Sequence, residues 1–326
     1  MQTKIVYTMI SNKDDYFSEQ FLASAWSARH YNSDAKIILL CDKATAQYID
    51  SVYYNDLFGV LDEIIKVDVP DELSNKEKSR WIKTKAREYV SGSMIQLDVD
   101  TIICGDLSEL DKMNVDVAAV YDYHCKFNDA PYKQRVINSV SKYYGVSKDA
   151  IMESKTDYYN SGVIYSSDTV NAKSFYNDWH YHWQKGLASG VSRDQYAFFR
   201  ASMNNTVEEL SGDYNCMIRS SIAFLYTARI MHFFNSGWGS DLISPFFSGE
   251  IYRSIKNNKG LSDADKKFIL VCKSEFESPS VIMDSHESEI IFSPVFILLR
   301  VWHKEKSVMF RCANLLARVI LKLKGL

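Results

Sequence analysis

Two aspartates one residue apart, Asp98 and Asp100, interrupt the apolar run "SMIQLDVDTIICGDL". In a continuous strand alternate side chains share a face, so both carboxylates would point one way and Val99 the other. Like charges aimed at one spot repel, and burying them without a partner is costly. Three chemistries suit such a pair. It is the solvated end of a strand, or a phosphatase nucleophile loop, or a carboxylate site for a hard divalent ion that also holds a diphosphate. The phosphatase loop wants Gly-Thr after its second aspartate, whereas Thr101 follows Asp100 directly. Three later segments add polar groups. "DYYNSGVIYSSDT" sets Asn160, Ser161 and Gly162 in an apolar strand, "VSRDQYAFF" sets Asp194 and Gln195 at a helix start, and "RIMHFFNSGW" sets His232 at a strand end before Gly237 and Trp238. Each has a plain structural alternative: a helix N-cap for Asp194, worth about 1 kcal/mol, a bulge at Gly162, and a core histidine at 232.

The elements that must position these residues alternate. "KIVYTM" (4–9), "AKIILLC" (35–41), "DEIIKV" (62–67) and "SMIQLD" (93–98) read as buried strands. Helical spacing covers 14–31, 43–54 and the basic stretch 75–90 between them. That order predicts an α/β fold with a mainly parallel sheet flanked by helices. Such sheets take ligands at the carboxyl ends of their strands, where Asp98 falls. More strands are expected at 115–121, 159–165 and 229–234, and helices at 169–186 and 193–203.

In this order, the basic helix, the strand ending in Asp-x-Asp, the Asn-Ser-Gly strand, the Asp-Gln pair and the His-Phe segment with its following glycine resemble the nucleotide-sugar glycosyltransferases of the GT-A fold. The nearest resemblance is to glycosyltransferase family 8, the galactosyl- and glucosyltransferase group, and it runs from about residue 3 to about 238. It implies that Asp98, Asp100 and His232 are ligands of Mn²⁺ (or Mg²⁺), manganese being the better match to an imidazole. It implies a UDP-sugar donor whose leaving diphosphate the metal stabilises as a Lewis acid, with retention at the anomeric carbon. A cation on the basic helix assists. Arg80 and Lys83, about one turn apart on one face, are both candidates, while Lys85 and Arg87 read as solvated. Asp194 would hold donor-sugar hydroxyls and Gln195 would lie by the anomeric carbon. Asn160, Ser161 and Gly162 would line the same pocket, as would Val99, with Gly162 allowing close backbone approach. Uridine would meet the end of the first strand near Thr8, Ser11 and Tyr16, with Asp42 nearby. The chain departs from the family at "FFNSGWGSD", where members often carry Gly-x-x-Lys-Pro-Trp. Backbone amides near Ser236 and Gly237, or Arg229, are expected in place of that lysine.

Bulk properties agree with a globular protein: 326 residues, 46% apolar and 24% charged. The six cysteines are scattered, with no Cys-x-x-Cys pair, which argues against zinc ribbons and suits a reducing cytoplasm. No secretory leader, spanning segment or nucleic-acid partner is expected. Charge is unevenly spread. Residues 291–326 carry +6, which leaves −9 for the remainder. A soft boundary is placed near 245, dividing a GT-A domain (1–245) from a helical extension (246–326). In "SVMFRCANLLARVILKLKGL", Ser307, Arg311, Asn314, Arg318 and Lys322 form a polar stripe on an otherwise apolar helix. A basic amphipathic helix of this kind lies on anionic membrane. The expectation is therefore a peripheral enzyme at the inner membrane face, moving a hexose to a glycan or lipid-linked acceptor in surface polysaccharide or lipopolysaccharide assembly. Its rivals are a catalytically inactive carbohydrate-binding scaffold and a sugar-phosphate nucleotidyltransferase. The latter needs a Gly-rich, Arg-containing loop after the first strand, where "TMISNKDDY" stands.

Overall fold

The structure, a computed structural model, describes residues 1–218, 223–234, 244–274, 289–290, 293–305 and 307–323. In chain order the elements are β1 (Lys4–Met9), α1 (Phe17–Tyr31), β2 (Ile37–Cys41), α2 (Lys43–Val60), β3 (Glu63–Lys66), α3 (Asn75–Thr84), α4 (Ala86–Tyr89), β4 (Met94–Leu97), β5 (Thr101–Ile103), β6 (Val117–Tyr121), α5 (Lys133–Tyr144), α6 (Lys148–Glu153), β7 (Tyr159–Ser166), α7 (Val170–Ala188), α8 (Asp194–Ser202), β8 (Glu208–Glu209), β9 (Cys216–Met217), β10 (Ile230–His232), α9 (Glu250–Asn258), α10 (Asp263–Leu270), α11 (Pro294–Lys304) and α12 (Val308–Leu323).

The large sheet runs β3-β2-β1-β4-β7-β6-β8. Its first four strands are parallel, as the alternating order demands, and β7 reverses to lie antiparallel between β4 and β6. Alternation along β1 sorts the two faces. Ile5, Tyr7 and Met9 pack in the layer that holds α1, and Val6 packs in the layer of α7 and α8 with Trp179, Trp183 and Phe198. A second, small sheet, β5-β10-β9, has strands of two or three residues. Side-chain periodicity cannot register over so short a span.

Local chemistry sets the helix ends. Asp42 caps α2 by accepting from Thr45 N at 2.8 Å. That helix runs six residues past the expected 54, through Tyr53, whose φ of −120° marks a kink. Ser74 and Glu77 form a reciprocal capping box on α3. The single helix expected over 75–90 is two, broken at Lys85 (φ −108°, ψ 4°). The break turns Arg87 inward, against its reading as a solvated residue. Its side chain is buried and donates to Ser166 Oγ (3.1 Å) and to the carbonyls of Ser167 (3.2 Å), Gly92 (2.8 Å) and Val90. A single guanidinium thus ties the approach to β4 to the end of β7.

Packing continues past residue 245. Phe246, Phe247, Ile251, Tyr252, Ile255 and Ile269 belong to the same core as α1, and the sulfurs of Cys104 and Cys272 lie 3.4 Å apart. Farther on, α11 and α12 pack on each other, with the His303 and Phe310 rings 4.8 Å apart. Val295, Leu315, Leu316 and Leu323 on these helices are exposed. Among the described residues no helix is long and apolar enough to cross a membrane.

Arg87→Ala removes the donor shared by the buried Val90 carbonyl, the buried Ser166 hydroxyl and the carbonyls of Gly92 and Ser167. It is expected to lower stability by about 3 kcal/mol, read as a fall in the urea midpoint at unchanged slope.

Candidate active site

The two aspartates do not share a strand. The chain leaves β4 at Leu97, turns through Asp98–Asp100 and enters β5 in the other sheet. The turn is closed by Thr101 Oγ1 donating to Asp98 O (2.8 Å) and anchored by Asp98 N donating to Gly162 O (2.8 Å). The reading of both carboxylates on one face of a continuous strand is therefore corrected, because a turn between sheets brings them together. Val99 between them points into the core.

His232 arrives by register. β10 pairs antiparallel with β5, His232 opposite Thr101, and Phe233 N donates to Asp100 O (2.8 Å). His232 Nε2 then lies 3.2 Å from Asp100 Oδ1. One ligand atom each from Asp98, Asp100 and His232 falls within 4.8 Å of the others, a set able to hold a metal ion. Burial alone would disfavour charge on both partners, but their mutual attraction outweighs it. The His232 pKa is raised and that of Asp100 lowered.

Lys83 lies beneath the turn. Its ammonium, 2% exposed, is 2.7 Å from Asp98 Oδ1 and 3.3 Å from Asp194 Oδ2. Gln96 sets the place of that lysine. Though mid-strand and buried, Gln96 is satisfied, donating to the Lys83 carbonyl (2.9 Å) and accepting from Tyr176 Oη (2.8 Å). Asp194 opens α8 as its first residue, not as its N-cap, which is Arg193. It also accepts from Ser161 Oγ (3.0 Å), and Arg80 Nε lies 2.9 Å from its Oδ1. Burial pushes the Asp194 carboxyl up, but Lys83 and Arg80 prevail and hold it far below the usual carboxylate range. Arg80 and Lys83, left as alternatives by the sequence, both converge on Asp194.

A cavity of about 540 Å³ opens beside this cluster at the carboxyl ends of β1 and β4. Of the expected residues, Thr8, Arg80, Asp98, Val99 and Asp100 line it. Asn12, Asp15, Phe17, Gln20 and Ser79 line it as well. They come from loops and helix starts with no motif to mark them. Ser11 spends its hydroxyl on Asp15 Oδ1 (2.6 Å) and takes a hydrogen bond from Ser18 Oγ (2.7 Å). The Tyr16 ring lies 4.8 Å from the Lys256 ammonium. Gln195 Nε2 donates to Tyr159 O (3.0 Å). The amide of Asn160 bonds Asp122 Oδ1 (3.1 Å), Gly162 N (2.9 Å) and Asn215 Nδ2 (3.0 Å). Gly162 makes room for His232: a Cβ there would overlap the imidazole ring. Arg229 does not reach in. Its guanidinium binds the Asp106 carbonyl and lies 5.7 Å from the Tyr214 ring. Ser236, Gly237 and Trp238 lie outside the described residues.

No family model matches the chain, and no curated protein matches it in sequence. Solved structures do. An active-site mutant of LgtC aligns at TM-score 0.51 and 12% identity, covering 81% of this chain and 99% of that one. The fold is GT-A. A galactosyltransferase LgtC in complex with donor and acceptor sugar analogs aligns at TM-score 0.49 and 13% identity, over 81% of this chain and 99% of that one. The glycosyltransferase GlyE of Streptococcus pneumoniae aligns at TM-score 0.49 and 15% identity, over 86% of this chain and 65% of that one.

Within this GT-A frame, Gly162→Ala must displace the His232 ring or the start of β7. It is expected to cost about 1–3 kcal/mol of stability and to weaken binding of any divalent ion that Asp98, Asp100 and His232 can hold, both read by thermal unfolding with and without added ion.

Proposed function

We propose that this chain is a metal-dependent glycosyltransferase. It moves a hexose from a UDP-sugar to a glycan or lipid-linked acceptor in surface polysaccharide or lipopolysaccharide assembly, with retention. The observation that carries this reading is the convergence of Asp98, Asp100 and His232 beside a cavity at the strand ends of a GT-A sheet. The donor set suits a divalent ion: two hard carboxylates and an imidazole, which favours Mn²⁺ over Mg²⁺. Held by those three residues, the ion would supply positive charge to the departing diphosphate.

The chain's own groups do the rest. Thr8 and its neighbours at the end of β1 form the wall against which the uridine lies. Arg80, part-exposed on the cavity wall, adds a cation for the diphosphate. Lys83, sealed from water, neutralises Asp98 and Asp194 and fixes their spacing. Asp194, kept ionised, accepts hydrogen bonds from donor-sugar hydroxyls. Gln195, tethered through Nε2 to Tyr159 O, keeps its amide oxygen for the anomeric carbon. The tail places the enzyme. Arg300, Arg311 and Arg318 accompany the exposed Val295, Leu315 and Leu316 on α11 and α12. Such helices settle on anionic lipid, each basic residue adding about 1 kcal/mol near the surface. That location would bring a lipid-linked acceptor to the catalytic domain.

With Mn²⁺ and a screen of UDP-sugars, the intact chain is expected to release UDP. Asp100→Asn is expected to lower that rate by about 100-fold or more with little change in unfolding temperature. An active variant would refute the ligand assignment, and an intact chain that released UDP from no donor would favour the inactive scaffold. Removing residues 291–326 is expected to abolish cosedimentation with phosphatidylserine vesicles while leaving UDP release from the donor in place. Unchanged cosedimentation would refute the membrane assignment.

A further inference from the structure

At the Nδ1 edge of His232 begins a chain of side-chain amides that no cation-binding motif announces. Asn215 is fully buried, and its Oδ1 lies 2.9 Å from His232 Nδ1. Asn215 Nδ2 donates to Asn160 Oδ1 at 3.0 Å. Asn160 Nδ2 donates to Asp122 Oδ1 at 3.1 Å.

The direction of this chain is forced. An amide flip reverses donor and acceptor, so each asparagine must be oriented by a neighbour that cannot reverse. Asn160 has two such neighbours. The backbone N–H of Gly162, which can only donate, points at Asn160 Oδ1 from 2.9 Å. The carboxylate of Asp122, which accepts, faces its Nδ2. The oxygen of Asn160 therefore faces Asn215, and Asn215 must present its NH₂ to it. The remaining end of Asn215, an oxygen with no proton to give, faces the imidazole. His232 Nδ1 must donate to Asn215. Its Nε2 faces Asp100 Oδ1 at 3.2 Å, so without a metal the ring donates from both nitrogens, and an ion taken up between the acids would replace the Nε2 proton and leave the Nδ1 proton in place. With a metal at Nε2, a ring that lacked the Nδ1 proton would set that nitrogen against the Asn215 oxygen in a dry site, which is costly.

Asn215 itself is held from a second side. His124 Nε2 lies 2.8 Å from its backbone oxygen. His124 and Tyr123 adopt left-handed φ values of 49° and 58° to follow Asp122 at the end of β6. Non-glycine residues adopt that conformation at a cost and only where surroundings enforce it. The loop after β6 thus fixes both ends of the amide chain, Asp122 and Asn215.

We propose that Asn215, Asn160 and Asp122 are positioning residues that lock His232 in the one tautomer able to ligate a metal through Nε2. The proposal rests on the metal reading of the site given above. Outer partners of metal-bound histidines act in this way, and their loss costs about 10- to 100-fold in metal affinity.

The test uses intact chain labelled with ¹⁵N-histidine and loaded with Zn²⁺, a diamagnetic stand-in for Mn²⁺, by two-bond ¹H–¹⁵N spectra. The expected spectrum shows His232 protonated at Nδ1 alone; protonation at Nε2 overturns the proposal. The Asn215→Leu variant, similar in volume but without an acceptor, is expected to show both tautomers and to bind Mn²⁺ about 10- to 100-fold more weakly. Wild-type Mn²⁺ affinity with a single tautomer in the leucine variant also overturns the proposal. Should the leucine variant not fold, the wild-type spectrum decides by itself. A wild-type chain with the expected tautomer that binds no Mn²⁺ would instead sink the metal reading of the site, so the two failures are distinguishable.

Discussion

The ammonium of Lys83 is the constraint on which the site depends. Three carboxylates, Asp98, Asp100 and Asp194, reach one small region from two distant parts of the chain. Left alone they would repel, and burial would drive them toward the neutral form. One nearly water-free lysine contacts two of them, and Arg80 and His232 compensate the remaining charge. The strand below then becomes intelligible. Gln96 stands in a fully buried strand, where its amide holds the Lys83 carbonyl, and so the end of α3, in place. The fold supplies a rigid seat for a cation, and the cation permits the acids to gather.

Much of this was legible in the sequence because its signals are long or chemically unusual. β1, β2 and β4 are short, mostly apolar runs, and their alternation with helices dictates a parallel arrangement. Two aspartates amid apolar residues stand out from any bland expectation, and the remote histidine follows from its motif. Other features left no trace. β5, β8 and β9 are two or three residues long, shorter than one reading of a period-two pattern. Asn215 is one polar residue in a loop, and only its neighbours in space give its amide a purpose. Arg87 looked solvated because the expected helix was continuous; the break at Lys85 rotates it inward. The same shortfall explains the misjudged geometry of the acids. The sequence shows an apolar run on each side, but not that the two runs belong to different sheets.

Those two sheets also account for the distribution of labour in the chain. The large sheet provides the cavity wall and Asp98, while the small one provides His232 and the strand that follows Asp100. The chain from 246 to 272 packs against α1 and so supports the wall from outside. The two tail helices, by contrast, expose leucines and valines that the catalytic body does not cover.

Gly162 has a consequence for how such chains evolve. Its carbonyl holds the backbone of Asp98 and the bare space at its α-carbon is filled by the His232 imidazole, so a single substitution disturbs both groups at once. Drift can exchange an aspartate for a glutamate and retain some chemistry, whereas even a methyl group at this position must displace the imidazole. When genomes are surveyed for descendants that have lost turnover, a replaced glycine at the head of the reversed strand will be a sharper mark of decay than a replaced acid.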